Sequence, residues 1–192
     1  MDEAKYQFLV YFFIFVVEGT FGACLLYVVY IITDMYQCKK INNTKGEIIS
    51  GACIRYNPNP YGNDTGDCAI RAICKIENMS WRRAYNKICR LGKENCLIPN
   101  DIRNLIEYLG NKKYTFFEPA NKINYKTFAK NHKAGKFYLF SNGHVCACVD
   151  GKLYDTFDSN KNVITFYATK ETTNDINLAG KTIICDELNF KM

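Results

Sequence analysis

The sequence predicts an α+β domain, in which helices precede a mostly antiparallel sheet, behind an apolar N-terminal helix. Three observations lead to this fold class. About 26 residues near the N-terminus contain a single charge. Three amphipathic segments, each preceded by a polar capping residue, follow between residues 67 and 110. From residue 114 onwards, short apolar runs alternate with turn residues, which is typical of strands.

The composition is that of an ordinary globular protein. Of the 192 residues, 48% are hydrophobic and 23% are charged, and the formal net charge is +6. Long disorder, collagen-like repeats and low-complexity scaffolds are therefore excluded. The length accommodates one compact domain and a short appendage. The ten cysteines do not have the spacing of a disulfide framework, so we expect most of the thiols to be reduced.

The N-terminal segment, residues 1–33, is predicted to anchor the chain in a membrane. Its apolar run covers residues 8–33, with Glu18 as the only charge. Roughly 20 apolar residues suffice to cross the hydrocarbon core as a helix, and a carboxyl at that depth would be protonated or face a partner helix. A cleaved signal peptide is the alternative, which the acidic flank and the length of the run disfavour.

The charges outside the apolar run predict its orientation and its surroundings. Lys39, Lys40 and Lys45 follow the run, which places the C-terminal domain of a single-pass membrane protein in the cytoplasm. Residues 71–136 contain fifteen Lys or Arg and five Asp or Glu. We expect this basic face to lie against anionic lipid, and a merely solvated face is the alternative. No base-stacking motif accompanies the charge, so nucleic acid is not an expected partner.

The remaining chain is predicted to form a linker, residues 34–57, and one folded domain, residues 58–192. The linker is polar, and the turn-rich residues 57–66 mark the entry into the domain. Helices are predicted over residues 68–76, 81–91 and 101–109, capped by Asp67, Ser80 and Asn100. Strands are predicted over residues 114–118, 137–141, 144–149, 152–157, 163–167 and 181–185.

Cys68 begins the first of these helices, directly after the turn-rich loop. At a helix start the helix dipole and the unpaired amides favour the thiolate, which is the reactive form of cysteine. Cysteine is also a common buried residue, so the position alone does not assign a nucleophile. Cys74, Cys89 and Cys146 are expected to be such small core residues.

A second candidate position comes from a predicted hairpin. The dipeptide Asp150-Gly151 favours a two-residue turn, which pairs residue 149 with 152, 148 with 153, 147 with 154 and 146 with 155. Because opposite residues, and residues two apart on one strand, share a face, Asp155 is expected on the same face as His144. Asp158 has the opposite parity. The register therefore predicts a His144 base oriented by Asp155.

A nucleophile at a helix start, a base on a strand and a carboxylate on the next strand make a Cys-His-Asp arrangement. Its pieces are residues 66–72 (GDCAIRA), 144–147 (HVCA) and 154–156 (YDT). In order and spacing they resemble the motifs of papain-like cysteine peptidases, especially the small bacterial forms related to bacteriocin-processing peptidases. The resemblance covers about residues 58–190 and implies a papain-like fold.

The same resemblance implies an activity and a set of site residues. Cys68, His144 and Asp155 would be catalytic, and a peptide or protein substrate would be hydrolysed at a peptide or amide bond through an acyl-enzyme. The family usually places a Gln about six residues before the nucleophile, where this chain has Gly62. Asn63 is the nearest amide, and we expect it to form the oxyanion hole with the backbone amide of Cys68.

Other interpretations of these residues stay open. The domain is either a membrane-tethered thiol hydrolase or a non-catalytic binding module on the same fold, and an NlpC-type cell-wall hydrolase is an option if the domain lies outside the membrane. His144, Cys146 and Cys148 share a strand face, but no second ligand pair accompanies them, so neither a metal nor a cofactor is expected. His132 is expected to be an exposed side chain, and Trp81 part of a core face.

Overall fold

The computed structural model describes residues 20–43, 46–63, 66–170 and 181–183. Its helices are α1 Thr20–Asn43, α2 Cys68–Glu77, α3 Trp81–Glu94, α4 Ile102–Asn111 and α5 Tyr125–Asn131. Its strands are β1 Ile48–Ser50, β2 Cys53–Arg55, β3 Thr115–Phe117, β4 Lys136–Ser141, β5 His144–Val149, β6 Lys152–Asp155, β7 Phe166–Thr169 and β8 Thr182–Ile183.

The strands form one eight-stranded sheet with the order β1-β2-β6-β5-β4-β7-β3-β8. Neighbouring strands are antiparallel except for β2 and β6, which are parallel. The described residues therefore form a mixed α/β fold in which most helices precede most strands, as predicted for the folded domain.

Each face of the sheet carries a separate apolar core. Side chains of β4 alternate between them: Tyr138 and Phe140 pack with helices α2, α3 and α4, whereas Phe137 and Leu139 pack with α5. This alternation is the ordinary consequence of the two-residue repeat of a strand. The sheet is thus the middle layer of three, and α2 lies directly against β5, which carries His144.

The prediction of an N-terminal transmembrane helix is wrong. Only residues 20–33 of α1 belong to the apolar run, and the sequence of the helix from residue 34 to residue 43 is mostly polar. Among the described residues, no helix combines the length and the apolar character needed to cross a membrane. Residues 8–19, with Glu18, and residues 44–45 lie outside the described residues. The prediction of a single-pass membrane protein is therefore also wrong. The cytoplasmic orientation, which was predicted from the lysines after the run, depended on the same helix.

The predicted linker, residues 34–57, contains two strands of the sheet. β1 and β2 form a short hairpin, and β2 pairs with β6 so that Arg55 lies opposite Asp155. Three-residue strands leave no periodic signal, and a parallel pairing across about a hundred residues cannot be inferred from local sequence. Residues 48–55 therefore belong to the folded domain.

Most predicted elements of the domain are present with small shifts of their ends. Strand β5 has the predicted bounds, whereas β6 ends at Asp155 and β7 begins only at Phe166. Ser80 caps α3 by accepting a hydrogen bond from Arg83 N, whereas α4 is capped by Asp101 and not by Asn100. Helix α5 was not predicted because it has only 7 residues.

Candidate active site

Cys68 is the first residue of α2 and follows the turn-rich loop. The first backbone hydrogen bond of the helix runs from Arg71 N to Asp67 O, at 2.9 Å. The amides of Cys68, Ala69 and Ile70 precede it and have no partner within the helix. These amides and the helix dipole produce a positive potential beside the sulfur, which favours a thiolate and a developing oxyanion.

His144 and Asp155 meet as the hairpin register predicts. Asp150 and Gly151 have φ values of 49° and 71°, as a tight turn of this kind requires. The turn pairs residue 149 with 152, 148 with 153 and 147 with 154. His144 Nε2 lies 2.6 Å from Asp155 Oδ2. The carboxylate is buried and its other oxygen accepts from Thr156 N at 2.8 Å. Asp155 therefore fixes the orientation of the imidazole ring.

The thiol of Cys68 contacts the same imidazole. Burial alone would raise the pKa of Cys68, but hydrogen bonds from His144 and from the Val145 backbone N–H, with the positive charges of His144 and Arg71, lower this pKa below its ordinary value. Burial also disfavours a charged His144, yet hydrogen bonds to Asp155 and Cys68, and the charges of both, raise the pKa of His144 to about 9. The two shifts together favour a thiolate–imidazolium pair.

Two further buried charged residues, Asp67 and Arg71, lie next to this pair. Arg71, one helical turn after Cys68, forms an ion pair with Asp67, and its Nη2 lies 4.0 Å from Asp155 Oδ1. Trp81 Nε1 donates to the second oxygen of Asp67 at 2.7 Å. Asp67 was predicted to cap α2 with its side chain, but it makes no such hydrogen bond because the carboxylate binds Arg71 and Trp81.

Arg71 and the polar role of Trp81 were not predicted from the sequence. Trp81 does pack against the core beside α2, as predicted, and stacks on Tyr85 with 4.8 Å between ring centroids. The available signal was the spacing of Asp67 and Arg71, four residues apart on one helix, which is the geometry of an intrahelical ion pair. Arginine in the middle of an apolar helix face marks a buried charge with a buried partner.

An exposed aromatic side chain borders the site. The ring of Phe157 lies 4.9 Å from the ring of His144, at a tilt of 49°. Its side chain remains 47% exposed, whereas His144 is only partly exposed. Phe157 therefore covers one side of the imidazole and leaves an apolar surface next to the reacting atoms. Asp158, which follows it, instead accepts hydrogen bonds from Asn160 and does not approach His144, consistent with its predicted parity.

The predicted oxyanion donor Asn63 is exposed. Its backbone carbonyl accepts a hydrogen bond from Asn57 Nδ2 at 3.2 Å. Within the described residues, no hydrogen bond joins the side-chain amide of Asn63 to Cys68, and residues 64 and 65 between them lie outside the description. The role of Asn63 stays a prediction, whereas the Cys68 amide is placed at the helix start beside the sulfur.

The remaining thiols and the second histidine lie elsewhere. Cys53, Cys146 and Cys148 are buried on the α5 side of the sheet, where burial raises the pKa of each thiol. His132 was expected to be exposed, but it is partly buried and stacks on Phe128. No group of three or more metal-ligating side chains occurs in the part of the chain that the structure describes.

Comparison with known proteins adds no relative from which a function could be transferred. No family model, no curated protein and no solved structure matches this chain. The interpretation of the site therefore depends on its geometry and on the three short motifs that carry the resemblance to papain-like peptidases.

Proposed function

We propose that the chain is a cysteine-dependent hydrolase of the papain-like kind, which cleaves a peptide or amide bond through an acyl-enzyme on Cys68. The observation that carries the proposal is the position of His144. One of its ring nitrogens lies 2.6 Å from the buried Asp155 carboxylate, and the same ring lowers the pKa of the Cys68 thiol at a helix start. A cysteine with a purely structural role needs neither a histidine beside its sulfur nor a carboxylate that orients this histidine.

The contacts around Cys68 support a complete reaction sequence. The Cys68 thiolate attacks the scissile carbonyl carbon, and the oxyanion that forms is stabilised by the Cys68 backbone N–H. The His144 imidazolium gives its proton to the leaving amine, and a thioester remains on Cys68. Neutral His144 then removes a proton from a water molecule that attacks the thioester. The carboxylic acid leaves, and the thiolate–imidazolium pair is restored.

Asp155 supports both halves of this sequence. The carboxylate accepts from His144 Nε2, so Nδ1 is the ring nitrogen that remains for the Cys68 sulfur. Its negative charge stabilises the imidazolium that must persist until the leaving group is protonated. Because Asp155 is only 2% exposed, water does not screen this interaction. The carboxylate therefore orients and charges the ring without taking part in proton transfer.

A covalent probe tests the proposal directly. A peptidyl vinyl sulfone, which adds to nucleophilic thiolates, is incubated with the full chain at pH 6.5, and the labelled cysteine is identified by peptide mass spectrometry. We expect Cys68 to be labelled much faster than Cys24 and Cys96, which are more exposed. Equal or preferential labelling of the exposed cysteines would contradict a nucleophilic Cys68.

Turnover is measured on a diverse peptide library by sequencing the new termini. Cleavage that depends on Cys68 supports hydrolysis. If Cys68 is labelled rapidly but the wild type and C68A cleave the same peptides, the hydrolase proposal is contradicted. A binding module with a reactive thiol would then be favoured. The variant C96A is the matched control, because Cys96 is a free exposed cysteine after α3, away from His144 and Asp155.

A further inference from the structure

Arg71 is an unusual residue for its surroundings. It lies on the apolar side of α2, between the core residues Ile70 and Ala72, and is only 5% exposed. Removing a guanidinium from water is costly unless its charge is compensated by nearby anions. Two buried carboxylates provide that compensation, one on each side of the proposed active site. Asp67 immediately precedes the nucleophile, and Asp155 binds the base.

We infer that Arg71 is a positioning residue of the proposed reaction, which joins the start of the helix that carries Cys68 to the strand carboxylate that orients His144. The inference rests on the proposed function. Its geometric basis is a continuous chain of polar contacts from Trp81 Nε1 through Asp67 and Arg71 to Asp155, and from there to His144. The two ends of this row of contacts lie on different secondary-structure elements, Trp81 on α3 and His144 on β5.

The planar guanidinium suits this bridging role. Its Nη1 contacts Asp67 Oδ1 while its Nη2 lies toward Asp155 Oδ1. The other oxygen of each carboxylate is already engaged, by Trp81 Nε1 and by His144 Nε2. A lysine ammonium is a point charge and cannot reproduce the fixed fork of an arginine. The bridge between Asp67 and Asp155 therefore depends on the shape of the Arg71 guanidinium as well as on its charge.

The charge balance of the site gives Arg71 a second effect. Among the residues that the structure describes, the charged and titratable groups around Cys68 are Asp67 and Arg71 on α2 and its approach, His144 on β5, Asp155 on β6 and Tyr125 on α5. Within this set, the thiolate and the two carboxylates are three anions that face two cations, and without Arg71 they would face one. The positive charge of Arg71 contributes to the lowered pKa of Cys68, so its removal destabilises the thiolate.

The test measures how the alkylation of Cys68 depends on pH in the full chain. Iodoacetamide modification of each cysteine is followed by mass spectrometry in the wild type, R71Q and R71K. We expect R71Q to shift the midpoint for Cys68 upward by about one pH unit, the lower end of the effect of a nearby opposite charge. At a pH below both midpoints the rate should therefore fall about tenfold. The exposed Cys96 is an internal reference, and its profile should not change.

R71K separates charge from shape and guards against a misfolded R71Q. We expect R71K to shift the Cys68 midpoint less than R71Q, and to lower kcat on a cleaved peptide several-fold with little change in KM. R103Q is the matched control, because Arg103 forms an ion pair with Asp101 at the start of α4, and 51% of its side chain is exposed. A purely structural Arg71 would lower the melting temperature and leave the midpoint in place.

The outcomes distinguish this inference from the proposed function. If Cys68 of the wild type is alkylated no more readily at low pH than Cys96, the proposed function itself fails. If the wild-type midpoint is low but a folded R71Q retains it, only the role of Arg71 is overturned. If R71Q does not fold, an R71K variant that matches the wild type in both midpoint and kcat overturns the inference equally.

Discussion

The two histidines of this chain show how the same side chain acquires opposite properties in two regions. His144 lies at the start of β5, and its pKa is raised to about 9 although burial opposes the charge. His132 follows α5 and stacks on Phe128 with 3.9 Å between ring centroids, and burial lowers its pKa. Both rings are partly buried. Since burial disfavours the charge of both rings, the difference between them comes from Asp155 and Cys68, the partners of His144.

The cysteines of the same two regions repeat the contrast. Cys68 faces an imidazole and a backbone N–H, which both favour the thiolate, and its pKa is lowered. Cys146 lies two residues after His144 on the same strand, but its sulfur donates toward the carbonyls of Ala147 and Tyr154. Burial raises the pKa of Cys146, and that of Cys148 to about 12. Reactivity is thus expected at the helix start, at Cys68, and not in the apolar layer that contains Cys146 and Cys148.

The largest expected effect separates the two regions by activity. C68A or H144A should lower kcat/KM by on the order of 10³-fold or more, because nucleophile and base act as a unit. The double variant should be no worse than either single variant. C96A, assayed on the same peptide, should match the wild type. Independent and additive losses from C68A and H144A would contradict a shared reaction step.

The next effect tests which carboxylate orients the imidazole. D155N should lower kcat/KM by about 10²-fold, the lower end of the contribution of a positioned acid–base group. The pKa of His144 should fall in this variant because the negative charge that raises it is removed and an amide oxygen accepts more weakly than a carboxylate. D158N is the matched control, since Asp158 binds Asn160. A loss in D158N as large as that in D155N would mean that the hairpin register does not place the acid.

The activity should also report the charge of His144. With the pKa of Cys68 lowered and that of His144 raised to about 9, the thiolate–imidazolium pair exists between the two values. The pair titrates as one coupled system. We therefore expect kcat/KM to fall about tenfold per pH unit above pH 9, as the imidazolium loses its proton. Activity that still rises above pH 9 would indicate a neutral pair.

The smallest effect concerns the other histidine. H132A should leave kcat/KM unchanged but destabilise the fold by about 1–2 kcal/mol at pH 7, since it removes an aromatic stack from the α5 face. The unfolded ring takes up a proton below about pH 6.5, whereas the pKa of the folded ring is lower. Its contribution is therefore complete above pH 6.5 and declines as the pH falls. Urea unfolding of the wild type and H132A at pH 7 and pH 5 measures the loss of unfolding free energy and its pH dependence. A loss that is larger at pH 5 than at pH 7 would contradict this prediction.

The contacts that the sequence predicts are local ones. The turn at Asp150-Gly151 fixes which residues of β5 and β6 face each other, and the contact of His144 with Asp155 follows from counting along the strands. The helix start at Cys68 follows from the turn-rich loop and the apolar periodicity behind it. Such features depend on neighbours within about a dozen residues, so a single sequence contains them.

The contacts that escape the sequence are non-local. The ion pair of Arg71 with Asp155 joins α2 to β6, and the pairing of β2 with β6 joins residues about a hundred positions apart. Neither contact has a local sequence pattern. Only the ion pair of Arg71 with Asp67 could have been predicted, from their spacing of four residues. The transmembrane prediction failed because an apolar run does not fix the bounds of a helix, and α1 continues from apolar into polar sequence.

Its hydrogen-bond partners, and not its burial, set the charge of His144, and a titration of the two histidine rings tests this. The chain has only two histidines, so a ¹H–¹³C spectrum of histidine-labelled protein shows two ring signals, which H132A assigns. We predict that the His144 ring titrates near pH 9 and the His132 ring below pH 6.5. C68A should lower the first value. A His144 ring that titrates at or below pH 6.5 in the wild type would contradict the account.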